Sequence, residues 1–217
     1  MKGLSISRKL LLGFLSVLVL LAAVVAISYT QFLSLKQSFT EVVENRTTKL
    51  LQIKDMMITS KTQQVTIRSY VIGANEEGEQ QFNTLHNEYQ ALSAELRKTI
   101  KEQAMIDLLD HSDQVGEEYY SFGQEVIALS KQGNTDEIRA QLQVRGPELI
   151  TEFLNTITAM EEFQQTALDK AIVDSHNTIS AVLRNILIIG ILSVLLGTAI
   201  ALLMGRLISR PIIAVSK

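Results

Sequence analysis

The chain has 217 residues and a formal charge of −3, enough for one or two domains, and it carries no basic stripe of the kind that binds nucleic acid. It has no cysteine, which excludes a disulfide framework, a thiolate zinc site and a cysteine nucleophile. With only two prolines and eleven glycines, chain breakers are too scarce for a strand-rich sandwich and favour long helices.

Charge is segregated along the sequence. Every Asp and Glu lies between Glu41 and Asp174, whereas the ends carry Lys2, Arg8 and Lys9 and then Arg206, Arg210 and Lys217. Residues 1–9 read as a short basic N-terminus. Residues 10–29, Leu10 to Tyr29, form an uncharged run long enough to cross a hydrocarbon core of about 30 Å as a helix. A cleaved signal peptide with Ala26 and Ser28 near its cleavage site is the competing reading. The apolar run exceeds the roughly seven to fifteen residues of a signal core, which favours an uncleaved anchor.

Residues 30–184 follow a rhythm of three and four residues, the mark of helices packed in a left-handed bundle. The first seam runs through Phe39, Val43, Arg46, Leu50, Ile53, Met57, Ser60, Gln64, Ile67 and Val71. "GANEEG" at 73–78 stops that helix and starts a second, with Phe82, Leu85, Tyr89, Leu92 and Leu96 on its seam. A reversal near Glu102 to Ala104 leads to a third helix carrying Leu108, Ser112, Val115, Tyr119, Phe122, Val126 and Leu129. Gly133 supplies a C-terminal stop, and Asn134 or Thr135 an N-cap for a short helix at 135–144. Pro147 suits the first turn of a fourth long helix, whose seam is Ile150, Phe153, Ile157, Met160, Gln164, Ala167 and Ala171. The fold class expected is therefore all-α: an antiparallel four-helix bundle whose first and last helices continue into two transmembrane helices.

The second span is residues 185–204, Asn185 to Met204, again uncharged. Basic residues flank the outer ends of both spans, so the positive-inside rule puts both termini in the cytoplasm and 30–184 outside a plasma or inner membrane. Ala22 and Ala26, and Gly197, Ala201 and Gly205, recur at four-residue spacing, which permits close helix contact in lipid. Near the membrane only two helices remain, with polar seam residues such as Arg46, Gln164 and Asp174. A second copy alongside would complete a four-helix stalk, so a parallel homodimer is expected.

Groups for catalysis do not converge. His86, His111 and His176 read as exposed helical histidines, far apart for metal ligands. Asp107, Asp110 and Asp113 share a helix face and read as a solvated acidic surface. No phosphate loop, zinc motif or nucleophile elbow is present, so no catalytic residue, metal site or cofactor is expected. For ligand binding the candidates are Arg68, one turn before the membrane-distal end of the first helix, with Arg145 and Thr151 at the start of the fourth. An arginine fork there would hold a small carboxylate. The alternative role for Arg68 is a dimer-surface or salt-bridge residue.

The stretches "SRKLLLGFLSVLVLLAAVVAI", "IRSYVIG" and "YYSFGQEVIALSKQGNTDEIRAQL", followed by the Pro147 helix, resemble the sensor half of bacterial methyl-accepting chemotaxis proteins of the four-helix-bundle type. "GRLISRPIIAVSK" at 205–217 resembles the opening of a HAMP linker, with Pro211 at the start of its first amphipathic helix. The resemblance implies a homodimeric chemoreceptor that binds a small molecule outside the membrane. It also implies that the receptor controls a cytoplasmic histidine kinase through HAMP, together with a coupling protein. The remainder of HAMP and the output domain would then follow beyond Lys217. The same front half also occurs on sensor histidine kinases and diguanylate cyclases, so an input half of such an enzyme is the alternative. In relatives the ligand-holding arginines form a group on the first helix; here Arg68 stands alone at that helix's membrane-distal end.

Overall fold

The computed structural model describes residues 6–73 and 76–215, and no strand occurs among them. The helices are α1 (Ile6–Thr40), a π-helical segment (Glu41–Thr47), α2 (Thr48–Gly73), α3 (Glu76–Thr99), α4 (Gln103–Lys131), α5 (Thr135–Gln143) and α6 (Arg145–Val215). Ala74 and Asn75 of the first predicted turn lie outside the described residues. The chain divides into two units, residues 41–171 and residues 1–40 with 172–217.

Unit 41–171 is the bundle. The seams read from the sequence fill its interior. Phe82, Tyr89 and Leu96 of α3 are buried, as are Val115, Tyr119, Phe122 and Val126 of α4 and Ile150, Phe153, Ile157 and Met160 of α6. Aromatic rings meet across the helices: Tyr89 lies edge-on to Phe153 at 5.0 Å, and Tyr119 is tilted against Phe153 at 6.2 Å. Such pairs prefer edge-on or offset geometry because ring faces are electron-rich and ring edges are not. The rings demand space: a Cβ at Gly123 would collide with the Phe82 ring, and one at Gly116 would press on Phe153 at 3.0 Å.

Local signals set the helix ends. α3 opens on Glu76, Glu77 and Glu79 and closes on Arg97 and Lys98, opposite in sign to the partial charges of its own termini. α4 ends before Gly133, whose φ of 73° lies in the left-handed region that favours glycine. Asn134 precedes α5, where its amide donates to Glu137 rather than capping the helix main chain. α6 starts at Arg145, two residues before Pro147, which still falls within the first turn, where no main-chain donor is needed. The helix runs on through Pro211 to Val215, so that proline marks no helix start here.

The first long helix departs from its expected seam. Instead of one α-helix, a π segment intervenes, and seam residues Phe39 and Val43 are exposed while Arg46 is half-buried. A π turn absorbs one extra residue, which changes the facing of everything on its N-terminal side. Downstream the seam holds at Leu50, Ile53, Met57, Ser60 and Ile67, joined by Met56, Gln63 and Tyr70. Hydroxyls follow the wide spacing: Thr47 Oγ1 donates to the Val42 carbonyl, five residues back, at 2.8 Å. Arg46 fastens the segment by donating to Glu41 (2.8 Å) and to Glu102 of the α3–α4 turn (2.7 Å).

In the other unit, two helical stretches are long and apolar enough to cross a membrane, and the apolar windows are at most 6 % buried. Leu11, Phe14 and Leu21 of α1 and Leu187, Val194 and Leu195 of α6 face outward. A tight approach occurs at Gly13, where an added Cβ would strike the Met204 side chain, whereas at Gly197 and Gly205, two of the expected small residues, it would meet nothing within 4 Å.

Candidate functional site

Of the three residues singled out for ligand binding, Arg68 is exposed near the end of α2 and makes no hydrogen bond or ion pair among the described residues. Its charge reaches the buried Tyr119, whose hydroxyl is held above the usual phenol range by burial, with Arg68 acting the other way. Tyr119 packs against Phe122 at 6.0 Å, and the Arg145 guanidinium lies over the Phe122 ring at 5.8 Å. Arg145 is engaged there, since its Nη1 pairs with Glu125 of α4. Thr151 lies elsewhere, in an open groove of about 680 Å³ between α4 and α6 that His111, Glu148 and Glu152 also line. No hydrogen bond joins Arg68 to Arg145 or Thr151 among the described residues; the Tyr119–Phe122 pair relates the two arginines.

A deeper cleft of about 560 Å³ opens between α3 and α4. Antiparallel pairing sets the last turns of α3 beside the first turns of α4, so Arg97 meets Asp110 and Asp113, the latter at 2.8 Å. These carboxylates, Asp113 first, hold the guanidinium even further above neutrality than usual. Asp113 also accepts hydrogen bonds from Ser93 at 2.8 Å and Tyr89 at 3.3 Å, and the Tyr89 hydroxyl lies 2.7 Å from that of Ser112. Farther along the cleft, Gln90 donates to Glu117 Oε1, which is also 3.4 Å from His86 Nε2.

The acidic face and one histidine therefore differ from their sequence reading. Asp110 and Asp113 are committed to Arg97, and Asp107 accepts from Gln103. His86 is buried, stacked on Tyr120 at 3.8 Å, and burial lowers its pKa against the opposing pull of Glu117. His111 remains half-exposed, 3.5 Å from Glu152. Among the described residues no three His, Cys, Asp or Glu side chains converge as metal ligands.

The family model for the four-helix-bundle sensory module for signal transduction matches residues 3–179. The chain belongs to that family. The family is a four-helix-bundle sensory module of methyl-accepting chemotaxis proteins, and the all-α bundle described above is its fold. No curated protein and no solved structure matches closely enough to add to this comparison.

Within the module, sequence reading missed the α3–α4 cleft. The signal that would have found it is pairwise: Arg97 lies about as many residues before the reversal as Asp110 lies after it, so a hairpin brings the two level. Tyr89 reads as a seam residue and is buried as such, while Ser93, next to the expected seam residue Leu92, is buried in its place. That their hydroxyls reach Asp113 depends on the azimuth of each helix, which spacing alone does not give.

Proposed function

We propose that this chain is the sensor half of a transmembrane chemoreceptor, which detects a small molecule outside the membrane and passes the signal through HAMP to a cytoplasmic histidine kinase. The observation that carries this reading is α6. It is one helix from Arg145 to Val215, with Ile150 to Met160 in the bundle core and the second apolar stretch on the same continuous ladder. A continuous helix transmits displacements of about 1–2 Å that a loop would dissipate. Both termini are cytoplasmic in this reading, from the distribution of basic residues.

The working form is a parallel homodimer. On α2, Leu51, Ile58, Val65 and Ile72 are 57, 62, 62 and 90 % exposed, at strict seven-residue spacing. An apolar stripe of that period is what a second helix covers in a coiled coil. Lys54, Lys61 and Arg68 each follow a stripe residue by three positions, and exposed Glu148, Glu152 and Glu162 of α6 supply the opposite charge for a partner. A carboxylate held by Arg68 would then lie beside the dimer face.

The test uses the full chain in nanodiscs, screened against a panel of metabolites by thermal shift. A carboxylate ligand that raises the melting temperature, and loses its effect in Arg68→Ala, supports the reading. A carboxylate effect that survives Arg68→Ala removes that residue from the site. For the dimer, Ile58→Asp with Val65→Asp should convert dimer to monomer with helix content retained; an unchanged dimer would place the interface elsewhere.

A further inference from the structure

The α3–α4 cleft is separate from the Arg68 face and has a chemistry of its own. Its volume, about 560 Å³, falls within the roughly 300–1,000 Å³ of small-molecule pockets. The floor is stiff. Tyr89 and Ser93 are buried, and both direct their hydroxyls to Asp113, so neither has to reorganise around a guest. Ala94 and Gly116 keep the walls low.

The two ends of the cleft differ in the hydrogen-bonding capacity they leave open, the cations at one of them being paired with Asp110, Asp113 and Glu95. At one end Glu117, 54 % exposed, takes Gln90 and His86 on Oε1, while Oε2 has no partner among the described residues. At the other end Arg97 spends one N–H on Asp110 and one on Asp113, out of the five a guanidinium carries. Lys98 stands beside it, bonded once to Glu95. Free acceptors thus face free donors along one groove. Gln90 and Arg97 are seven residues apart on α3, a rise of about 10 Å, which side-chain reach shortens.

We propose that this cleft binds a zwitterion whose ammonium and carboxylate are separated by several bonds, an ω-amino carboxylate of about four to six carbons, with the ammonium on Glu117 and the carboxylate on Arg97 and Lys98. Extended, such a molecule spans roughly 5–8 Å between its charges at bond lengths near 1.5 Å. An α-amino acid carries both charges on one carbon and reaches only one end. A plain carboxylate or a plain amine leaves one end of the cleft unmatched.

Isomers make the test sharp. Isothermal titration of the full chain in nanodiscs would compare 5-aminopentanoate with its isomer 2-aminopentanoate, and with pentanoate and pentylamine. The expected result is at least tenfold tighter binding of 5-aminopentanoate than of any of the three, and at least a tenfold loss in Glu117→Gln. Glu117→Gln keeps a carbonyl for Gln90 and lies outside the core; Arg97→Lys, which keeps the positive charge, should weaken binding less than Arg97→Gln. Equal binding of the two isomers, or no binding of 4- to 6-carbon ω-amino carboxylates at millimolar concentration, overturns the proposal. So does full affinity in Glu117→Gln; if Arg68→Ala alone then abolishes binding, the sensory reading stands and the cleft assignment falls.

Discussion

Gln164 Nε2 donates to the main-chain carbonyl of Arg46 at 3.1 Å, linking α6 to the π segment 118 residues earlier in the chain. A π turn spaces its ladder one residue wider than an α-helix, and the buried amide of Gln164 reaches a carbonyl there. Glu102 holds the same residue from the α3–α4 turn through the guanidinium. Three elements therefore meet on Arg46.

Gln164→Leu should destabilise the protein by about 1–3 kcal/mol, the usual cost of leaving a buried polar group unsatisfied. Urea denaturation followed by circular dichroism measures this. No change in midpoint would mean that the Arg46 carbonyl finds another donor.

Acid should loosen the same contact. Burial works against the charged form of Glu102, but hydrogen bonds from Arg46 and from the main chain of residues 101 and 102 outweigh it and hold the carboxyl at about 2, below its ordinary 4.5. A depressed folded-state pKa gives stability that is fully present above about pH 4.5 and lost as pH falls towards 2. Glu102→Gln should therefore be less stable than the wild type at pH 7, with the gap closing by pH 2. A gap independent of pH would show that charge is not what Glu102 contributes.

His86 gives a second, higher window. Burial lowers its folded-state pKa below 6.5, partly offset by Glu117, so the unfolded chain takes up the proton first. Stability should decline as pH falls through 6.5, and His86→Phe, which keeps a ring against Tyr120, should flatten that decline. Melting temperatures between pH 7.5 and 5 decide it; parallel curves for the two proteins would exclude His86 as the cause.

Gly123→Ala should cost about 1–3 kcal/mol, because the new methyl has only the buried Phe82 ring to displace. Pairing it with Phe82→Leu should recover part of the loss. Additive losses in this double-mutant cycle would show that the two positions do not compete for space.

Much of this architecture is settled by the order of residues. Seams of three and four residues make helices whatever the surroundings, because only that period lays Phe82, Tyr89 and Leu96 on one side. Uncharged runs long enough to span hydrocarbon, and Gly133 where a left-handed residue is needed, are equally local properties. What tertiary structure alone decided is how the helices are rotated and set level with one another. That rotation buries Gln164 on a main-chain carbonyl, closes Asp110 and Asp113 around Arg97, engages Arg145 with Glu125, and leaves Leu51, Ile58, Val65 and Ile72 uncovered. The physical reason is that a helix's period fixes which residues share a face, but the direction of that face follows from the packing of all the helices at once. One extra residue in the π segment is enough to change it.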